Sequence, residues 1–412
     1  MPCSYKLVRI LMVFHNLAYP PQSGVQKRNF HLLEETVKRH EVTIVSYGSP
    51  ADEASIRQYF RNRNCRIAYV DCSAPKWINL LKRIKIMLLR KSLLQISATR
   101  RMQHALDEIY RKHGFDLIFL SSPALLHYRK PAAIPCVIDA HNVEYDLHYR
   151  SYQNAKNILS RVYFYDQYRL MKQDEIGLCR QPNILLTTSE RDKALFEKDL
   201  PDQFIRVIPN GVDLNYFLPQ ETQELPHSMV FSGMMNYLPN NRGILYFLDN
   251  VMPLILKKIP DAKIFIVGAA PSKTLMEHAN EHVVVTGRVE DVRPYIAQAQ
   301  VYVIPLLIGG GTRLKALEAS AMKKPIVSTS IGCEGIDFHD GESALFADTP
   351  EAFSEAVLQL FDNREYRSRL AERAYSIVSR KYSWQEIGDQ LNSVFESVVR
   401  SSRGTGEYRN IG

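Results

Sequence analysis

The sequence predicts an α/β protein built from two doubly wound parallel sheets, each with helices on both faces. Short apolar runs alternate with helical patterns along the chain, and the alternation starts again after a polar, proline-containing segment at 213–227. This order of elements is typical of parallel sheets with crossover helices. The 412 residues, 45% of them hydrophobic, suffice for two cores. We therefore expect two domains of about 200 residues each.

Each apolar run is short and bounded by polar, glycine or proline residues, as expected for buried strands. In the first half, the predicted strands are 7–14, 42–47, 116–121, 136–140 and 184–188. In the second half, they are 229–232, 263–267, 283–286, 301–305 and 326–329. The predicted boundaries are 1–212 for the first domain, 213–227 for a linker, 228–382 for the second domain, 383–402 for a C-terminal helix and 403–412 for a frayed tail.

The segment 301–329 joins a strand to a helix through three consecutive glycines. VYVIP has the pattern of a buried strand, and a helical pattern begins near Thr312. The joint consists of Gly309, Gly310 and Gly311. Glycines let the backbone approach an anion closely, and the helix start adds unpaired N–H groups and the positive end of its dipole. The segment therefore predicts an anion site, although such a turn is also an ordinary connection.

Three charged side chains near the start of this helix extend the prediction to a nucleotide. Arg313 and Lys315 place positive charge beside the glycines, where it stabilises a bound phosphate. Glu318 follows within the helix and offers two carboxylate oxygens to a ribose diol. The segment lacks both the Gly-Lys-Ser/Thr ending of a Walker A loop and the Gly-x-Gly-x-x-Gly spacing of a dinucleotide fingerprint.

The block PLLIGGGTRLKALEASAMKKPIVSTSIGCEGI, residues 305–336, resembles the donor-binding core of GT-B glycosyltransferases, specifically those of family 4. Three further blocks resemble other segments of that family: VIPNGVDLNYF at 207–217, FSGMMNYLPNNRGILYFL at 231–248 and VTGRVEDVRPYIAQAQVYVIP at 285–305. The resemblance covers most of 205–350. It is thinner earlier, where PPQSGVQKRNFHLL and DAHNVEYD carry it.

This resemblance implies a glycosyltransferase that moves a sugar from a nucleotide-diphosphate sugar to a glycan or a lipid-linked acceptor. The implied fold is GT-B, with two Rossmann-like domains facing across a cleft and helix 383–402 crossing back to the first domain. The implied reaction retains the anomeric configuration, needs no metal or cofactor, and serves cell-surface polysaccharide or glycoconjugate synthesis. The implied catalytic residues are His141, Arg313 and Lys315. The implied donor-binding residues are Gly24, Gly233, Gly287, Arg288, Val289, Gly309, Gly310, Gly311, Thr312 and Glu318.

Two of these residues lie in the first half, each on a loop after a predicted strand. Gly24 precedes a helix whose amides are expected to face the donor phosphates; its alternative is an ordinary turn. His141 follows CVIDA and is expected to position the reacting sugar or to move a proton; its alternative is a satisfied structural histidine. Asp139 and Glu144 are neighbours of lower rank. In the second half, the turn Thr286–Val289 is expected to receive the base through its backbone.

The chain departs from the family pattern in two places. The family commonly has two glutamates with seven residues between them; Glu318 matches the second, but Gly310 stands at the first, which usually serves the sugar end of the donor. We expect backbone N–H groups there to take over part of that contact. The usual Arg and Lys pair early in the second domain is not evident around Arg242, so Arg313 and Lys315 are expected to hold the diphosphate.

Metal sites and disulfides are not expected. The chain has no Asp-x-Asp motif, and its six cysteines show neither a CxxC pair nor a metal-ligand spacing, which is typical of reduced structural thiols. Two alternatives to sugar transfer stay open on the same fold. One is another enzyme, such as a sugar-nucleotide epimerase; a phosphorylase would show a lysine context for pyridoxal phosphate, which is not found. The other is a non-catalytic protein that binds a nucleotide sugar.

Positive charge is concentrated between Lys76 and His113, where ten Lys or Arg stand against Asp107 and Glu108, an excess of +8. Within it, WINLLKRIKIMLLRKSLL interleaves apolar and basic residues, which predicts contact with an anionic membrane surface. A core-packed helix with a solvated basic face is the alternative. No nucleic-acid-binding module accompanies the patch, so no nucleic acid partner is expected. No apolar run is long enough to span a bilayer, and we expect a cytoplasmic protein, peripheral on the inner face of the plasma membrane.

Overall fold

The computed structural model describes residues 7–71, 89–97, 99–153, 155, 157–309 and 312–404. The chain forms two compact units: residues up to Pro209 together with those from Ile387 form the first, and Asn210–Glu386 form the second. Some predicted features lie outside the described residues, namely Gly310, Gly311, the tail from 405 on, and the predicted interfacial helix up to residue 88.

The described sheet of the first unit has seven parallel strands in the order β3-β2-β1-β4-β5-β6-β7. They are β1 (Arg9–Phe14), β2 (Glu41–Tyr47), β3 (Cys65–Val70), β4 (Leu117–Leu120), β5 (Cys136–Ala140), β6 (Ile184–Thr187) and β7 (Ile205–Val207). Ile10 pairs with Val42 on one side and with Leu117 on the other, and all three are fully buried. Burial of the central strands on both faces explains their continuous apolar sequences.

Helices and short 3₁₀ turns connect these strands. They are α1 (Gly24–Val37), α2 (Pro50–Tyr59), a 3₁₀ turn (Leu93–Ser97), α3 (Arg100–Lys112), a 3₁₀ turn (Pro123–His127), α4 (Glu144–Gln153), α5 (Ile158–Cys179) and α6 (Glu190–Asp199). Several begin at a side-chain cap. In α1, Ser23 and Gln26 form a capping box, because each side chain bonds the other residue's backbone N–H.

The described sheet of the second unit has six parallel strands in the order β10-β9-β8-β11-β12-β13. They are β8 (Ser228–Ser232), β9 (Lys263–Val267), β10 (Val283–Gly287), β11 (Val301–Ile304), β12 (Ile326–Ser328) and β13 (Leu345–Phe346). The helices are α7 (Leu238–Tyr246) with a π-helical turn (Phe247–Val251), α8 (Met252–Lys258), α9 (Lys273–Glu277), α10 (Arg293–Gln298), α11 (Leu314–Ala321), a 3₁₀ turn (Ser330–Cys333), α12 (Pro350–Asp362) and α13 (Arg364–Lys381).

Both sheets reverse their winding direction once. In the first unit the chain runs outward from β1 to β3 and then returns to add β4 on the other side of β1. In the second unit the same step separates β8 from β11. Ligands of doubly wound sheets bind at this switch point, beyond the carboxyl ends of the strands. The loops after β1, β4, β8 and β11 are therefore the places to look for a site.

The predicted fold class is confirmed: both units are doubly wound parallel sheets covered by helices. Three strands were not predicted, and each lies at a sheet edge. β3 carries the exposed Arg66, whereas β7 and β13 have only three and two residues. Edge strands need less apolar sequence than central ones, so they produce no continuous apolar run. Helix α11 begins at Leu314, slightly later than predicted.

The last helix, α14 (Trp384–Ser402), begins in the second unit, and its residues from Ile387 onward belong to the first. Within the first unit, Phe395 packs edge-on against Phe119, with ring centroids 5.6 Å apart. Gly388 allows a close approach to α1, because a Cβ atom there would lie 2.2 Å from the Cβ atom of Glu35.

No described helix in either unit combines the length and the apolar character that crossing a bilayer requires.

Two helical glycines of the first unit give a matched test of this packing. Gly388→Ala is expected to lower the free energy of unfolding by about 1–3 kcal/mol, because the added methyl overlaps Glu35. Gly177→Ala in α5 meets no atom within 4 Å and is expected to raise it by up to ~1 kcal/mol. Urea unfolding followed by circular dichroism measures both. Equal effects of the two substitutions would contradict the close α1–α14 contact.

Candidate active site

Three polar residues of the first unit follow strands at its switch point. His15 comes directly after β1, Ser121 after β4 and His141 after β5. The backbone N–H of His15 donates to Ser121 Oγ at 3.1 Å, which ties the first two loops together. Because β1, β4 and β5 are neighbours in the sheet, all three residues lie at one edge. This edge is the candidate site of the first unit.

A buried arginine–aspartate pair supports this edge. Arg28 on α1 is 1% exposed and Asp139 on β5 is 0% exposed. Arg28 Nε and Nη2 donate to the two Asp139 carboxylate oxygens at 2.8 and 2.7 Å, and Nη1 donates to the Pro209 carbonyl at 2.9 Å. Burial alone raises the pKa of Asp139, but the charges of Arg28 and His141 outweigh it and hold that pKa well below its ordinary value. Asp139 is therefore a carboxylate near neutral pH.

The imidazole of His141 lies against this pair. Its Nδ1 is 3.0 Å from Asp139 Oδ2, and its backbone carbonyl accepts a hydrogen bond from Thr188 Oγ1 at 3.2 Å. Both ring nitrogens are buried, and neither makes a hydrogen bond of good geometry within the described part of the chain. The Asp139 carboxylate thus faces one ring nitrogen at close range and leaves the other available to a ligand.

His15 is a second histidine at the same edge, and it is not among the predicted site residues. Its ring packs edge-on against Tyr47 at 5.6 Å, and its Nδ1 is buried without a hydrogen-bond partner among the described residues. Burial, reinforced by the charge of His141, lowers the pKa of His15, so this ring is neutral at physiological pH. Its position at the carboxyl end of a strand is the signal that would have revealed it.

A buried glutamate fixes the helix that follows His141. Glu175 on α5 is fully buried, and its carboxylate accepts the backbone N–H groups of Glu144 at 3.1 Å and Tyr145 at 3.0 Å. It therefore caps the first turn of α4 from another helix. Burial raises the pKa of Glu175 well above its ordinary value, and the neighbouring Glu144 raises it further. Burial also raises the pKa of Glu144 itself.

Gly24 is the first residue of α1 and is exposed. The loop before it is ordered by Gln26, whose side-chain oxygen accepts the backbone N–H groups of Gln22 at 2.9 Å and Ser23 at 3.2 Å. Gly24 therefore lies at the helix start that was predicted, four residues before the buried Arg28 in the same helix.

In the second unit, the two predicted cations differ in their surroundings. Arg313 is 7% exposed, its Nε donates to the Ile331 carbonyl at 3.1 Å, and its Nη2 is 3.4 Å from a Glu334 oxygen. Its guanidinium lies against Gly309, where a Cβ atom would come within 2.7 Å of Nη2. Arg313 is thus held by the protein, and a side chain at position 309 would have to move its guanidinium.

Lys315 is in the first turn of α11. Its Nζ donates to Asn240 Oδ1 at 2.7 Å and lies 3.9 Å from the ring centroid of Phe231. A Cβ atom at Gly233 would come within 3.3 Å of Nζ, so the Gly233 backbone borders the ammonium group. Burial lowers the pKa of Lys315 to about 7; the charge of Glu318 opposes this shift and that of Arg313 adds to it. Asn240, which the sequence did not single out, is 75 residues away.

Thr312 and Glu318 complete this end of the second unit. Both are buried, and the Thr312 carbonyl lies 3.4 Å from Asn210 Nδ2, which donates to it. Glu318 lies three residues after Lys315 in α11, so the two side chains share one face of the helix. The carboxylate of Glu318 is close enough to act on the pKa of Lys315.

The predicted base-binding turn lies beside these residues, because β10, β9 and β8 are neighbours. Gly287 has a φ of +67°, and its carbonyl accepts the Gly268 N–H at 3.1 Å. A Cβ atom at Gly268 would lie 1.8 Å from the Gly233 carbonyl, so two strand ends approach closely there. Arg288 is exposed, whereas Val289 packs against the core of the unit.

The structure therefore groups the predicted residues by unit. In the second unit it gathers Gly233, Gly309, Thr312, Arg313, Lys315 and Glu318 at the switch point, with Gly287, Arg288 and Val289 at the adjoining strand end. In the first unit it places His141 beside Asp139. Across the described part of the chain, no group of three or more His, Cys, Asp or Glu side chains is arranged to hold a metal ion.

Two doubly wound parallel units, each with polar residues collected at its switch point, define the Rossmann-like two-domain class to which GT-B enzymes belong. Comparison with known proteins agrees. A family model described as Glycosyltransferase Family 4 matches residues 22–216, and one described as Glycosyl transferases group 1 matches residues 226–363.

Individual relatives are distant. An uncharacterized 44.6 kDa protein in the cps region of Klebsiella pneumoniae is 23% identical over 95% of this chain and 100% of that protein. A phosphatidyl-myo-inositol mannosyltransferase of Mycobacterium leprae is 27% identical, but the match spans 47% of this chain and 54% of that protein. The solved structure of Anabaena HepE in complex with UDP-glucose has a TM-score of 0.67 at 13% identity, covering 95% of this chain and 100% of HepE.

The chain belongs to the group 1 glycosyltransferases of GT-B fold, and it is an enzyme. The family prediction is therefore confirmed.

The buried pair in the first unit gives a matched test. Asp139→Asn is expected to lower the free energy of unfolding by about 3–5 kcal/mol, because it leaves the buried Arg28 guanidinium without a counter-charge. Asp389→Asn removes the partner of Arg39 from a half-exposed pair and is expected to cost less than ~1 kcal/mol. Denaturant unfolding at neutral pH compares them. Similar losses in the two variants would show that Asp139 is not the anchor of this site.

Proposed function

We propose that this enzyme transfers a sugar from a nucleotide-diphosphate sugar to a glycan or lipid-linked acceptor, with retention at the anomeric carbon and without a metal ion or other cofactor. The observation that carries the proposal is the position of Lys315. Its ammonium group stands in the first turn of α11, beside the Gly233 backbone, and its hydrogen-bond partner among the described residues is the neutral amide of Asn240. A cation in that setting is suited to a diphosphate.

The diphosphate would lie between Lys315 and the start of α11. As the bond to the sugar breaks, negative charge grows on the leaving diphosphate, and a positive group already in place stabilises it. Arg313 contributes its charge from a fixed position, because Ile331 and Glu334 hold its guanidinium. The positive end of the α11 helix dipole adds to the same field. These groups supply the stabilisation that a metal ion supplies in other transferases.

The rest of the donor would extend along the same edge of the second unit. Glu318 would accept the two ribose hydroxyls, and the backbone of the Gly287–Val289 turn would receive the base. Backbone N–H groups at Gly310 and Gly311 would serve the sugar end, since the glutamate common in the family is missing there.

The first unit would supply the acceptor side and His141. Asp139 fixes one ring nitrogen of His141, so Nε2 would bond a hydroxyl of the reacting sugar or pass a proton. Gly24, at the start of α1, would bring backbone amides to the donor phosphates. The neutral ring of His15 is suited to bonding a second hydroxyl at this edge.

A lipid-linked acceptor is supported by the relatives and by charge. The Mycobacterium leprae relative is named for mannosyl transfer to phosphatidyl-myo-inositol, and HepE was solved with UDP-glucose. The basic segment 76–113 suits an anionic membrane surface. We therefore place the enzyme in the cytoplasm, peripheral on the inner face of the plasma membrane, in cell-surface polysaccharide or glycoconjugate synthesis.

Calorimetric titration with UDP, GDP and ADP, and then with their common sugar conjugates, tests the donor. Selective binding of one nucleotide and one conjugate supports the proposal, and no binding by any of them contradicts it.

The selected conjugate is then incubated with short glycan and lipid-linked acceptors in EDTA, and the anomeric configuration of the product is read by NMR. Conversion of the free conjugate to its epimer, with no transfer, would identify the epimerase alternative instead.

Loss of the Glu318 carboxylate should weaken nucleotide binding. Glu318→Ala is expected to raise the Kd of the selected nucleoside diphosphate about 30-fold, because two charge-assisted hydrogen bonds to the ribose are lost. The 2′-deoxy nucleotide should lose most of that affinity with the unchanged enzyme and little more with the variant. Glu372→Ala removes an exposed carboxylate of the same unit as a control. Unchanged affinity in Glu318→Ala would remove this residue from the site.

Donor binding should take up a proton through Lys315. With a pKa of about 7, the free side chain is mostly neutral at pH 8.5, and a bound diphosphate raises that pKa because it favours the charged form. Calorimetry at pH 8.5 in buffers of different ionisation enthalpy should show uptake of about one proton per nucleotide, falling as the pH drops below 7. Lys315→Arg, which stays charged, should show none. Equal heats in all buffers with the unchanged enzyme would contradict the role of Lys315.

A further inference from the structure

Helices α4 and α5 of the first unit form a hairpin with an aromatic seam. Tyr149 and Tyr168 lie 5.1 Å apart between ring centroids, and Tyr152 and Tyr165 lie 5.3 Å apart. Ring contacts of this kind hold the two helices together close to their connection. The glutamate that caps α4 also comes from α5. The hairpin is therefore a firmly joined element.

The first two turns of α5 expose apolar side chains. Ile158 is 77% exposed, Leu159 80% and Val162 65%. We define the hairpin tip as these three residues together with the exposed tyrosines Tyr149, Tyr163 and Tyr165. Single exposed apolar residues are common on soluble proteins, but several adjacent ones on one short segment mark an interaction surface. Packing among the described residues of the first unit does not account for this exposure.

The sequence around the tip carries positive charge only. From Leu147 to Tyr165 the chain contains no Asp or Glu and three cations, Arg150, Lys156 and Arg161, of which Arg150 is paired with Asp146 at 2.8 Å. Arg161 lies over the Tyr152 ring at 5.1 Å, so its charge is at the tip. Apolar side chains, tyrosines and cations without carboxylates are the composition of segments that lie in the interfacial layer of anionic membranes.

Arg90, at the start of the described part of the basic segment 76–113, contacts the same helix. Arg90 is 72% exposed on its side chain and bonds Asp166 of α5 at 2.9 Å. Asp166 is the first carboxylate after the tip, and Arg90 offsets its charge. The first carboxylate after the tip is therefore neutralised by a cation, which limits its repulsion of an anionic bilayer.

We propose that the hairpin tip inserts into the interfacial layer of an anionic bilayer and so docks the first unit on the membrane. The partner is a lipid surface carrying negative headgroups. A second copy of the chain fits less well, because an isologous contact through the tip would bring like charges together. The inference rests on the proposed function in one respect, since a membrane-bound acceptor gives the docking its purpose.

Vesicle flotation tests the docking with the full-length protein. Unilamellar vesicles of phosphatidylcholine, with or without phosphatidylglycerol, are floated with the unchanged protein and three variants. Binding to the anionic vesicles is expected, with little binding to the neutral ones. The double variant Ile158→Ser, Leu159→Ser should lower the partition coefficient about 100-fold, because two large apolar side chains no longer enter the bilayer. Arg161→Gln should lower it about fivefold.

Met276→Ser, which removes an exposed methionine from the second unit, is the matched control and should leave flotation unchanged. All substituted side chains are exposed, so thermal unfolding should be the same for every variant. Equal flotation of the double variant and the unchanged protein would overturn the proposal, as would a lipid-free dimer that the double variant abolishes. Nucleotide binding measured in parallel keeps this result separate from the proposed function: a lost donor site leaves flotation intact, and a lost tip leaves donor binding intact.

Discussion

The buried contact between Arg28 and Asp139 is the interaction on which the first unit's site depends. It joins α1 to the end of β5, and through Pro209 it also holds the last residue of the unit before the chain leaves it. A fully buried pair of this kind is tolerated only when every hydrogen-bonding atom is satisfied, and removing one partner is costly. The position of the His141 ring depends on the same pair, because the Asp139 carboxylate faces both Arg28 and His141.

The second unit also buries positive charge, but its two cations, Arg313 and Lys315, are stabilised differently from Arg28. Arg313 is held by a carbonyl and by Glu334, so its charge is fixed. Lys315 faces a neutral amide and an aromatic ring instead, and its pKa falls to about 7 because burial is only partly offset. In the free protein, desolvation destabilises the charged form of Lys315. A bound anion stabilises that form, because the two opposite charges then lie together away from water. The site is therefore prepared for a negative ligand.

The central strands could be predicted because burial on both faces leaves a continuous apolar run, as in RILMVF and VYVI. The glycine loop, Lys315 and Glu318 were predictable for a similar reason, since they are neighbours in sequence. Arg28 and Asn240 were not, because their partners lie 111 and 75 residues away and only the folded sheet brings them together. The edge strands β3, β7 and β13 were not predicted, because they form no continuous apolar run. His15 was not predicted either, although it directly follows the first apolar run, where a site residue of such a sheet is expected.

In the proposed reaction, the two units would divide the demands of sugar transfer between a fixed group and a group that changes its protonation. In the first, Arg28 keeps Asp139 ionised and Asp139 keeps His141 in one orientation, so a reacting hydroxyl would meet a preorganised partner. In the second, burial lowers the pKa of Lys315 to about 7, so the lysine that would face the diphosphate would gain its proton when the ligand binds. A permanently charged arginine in that position would need a carboxylate partner in the empty site, and that carboxylate would then repel the donor. A lysine beside an asparagine avoids this conflict, because it can remain neutral until the diphosphate binds.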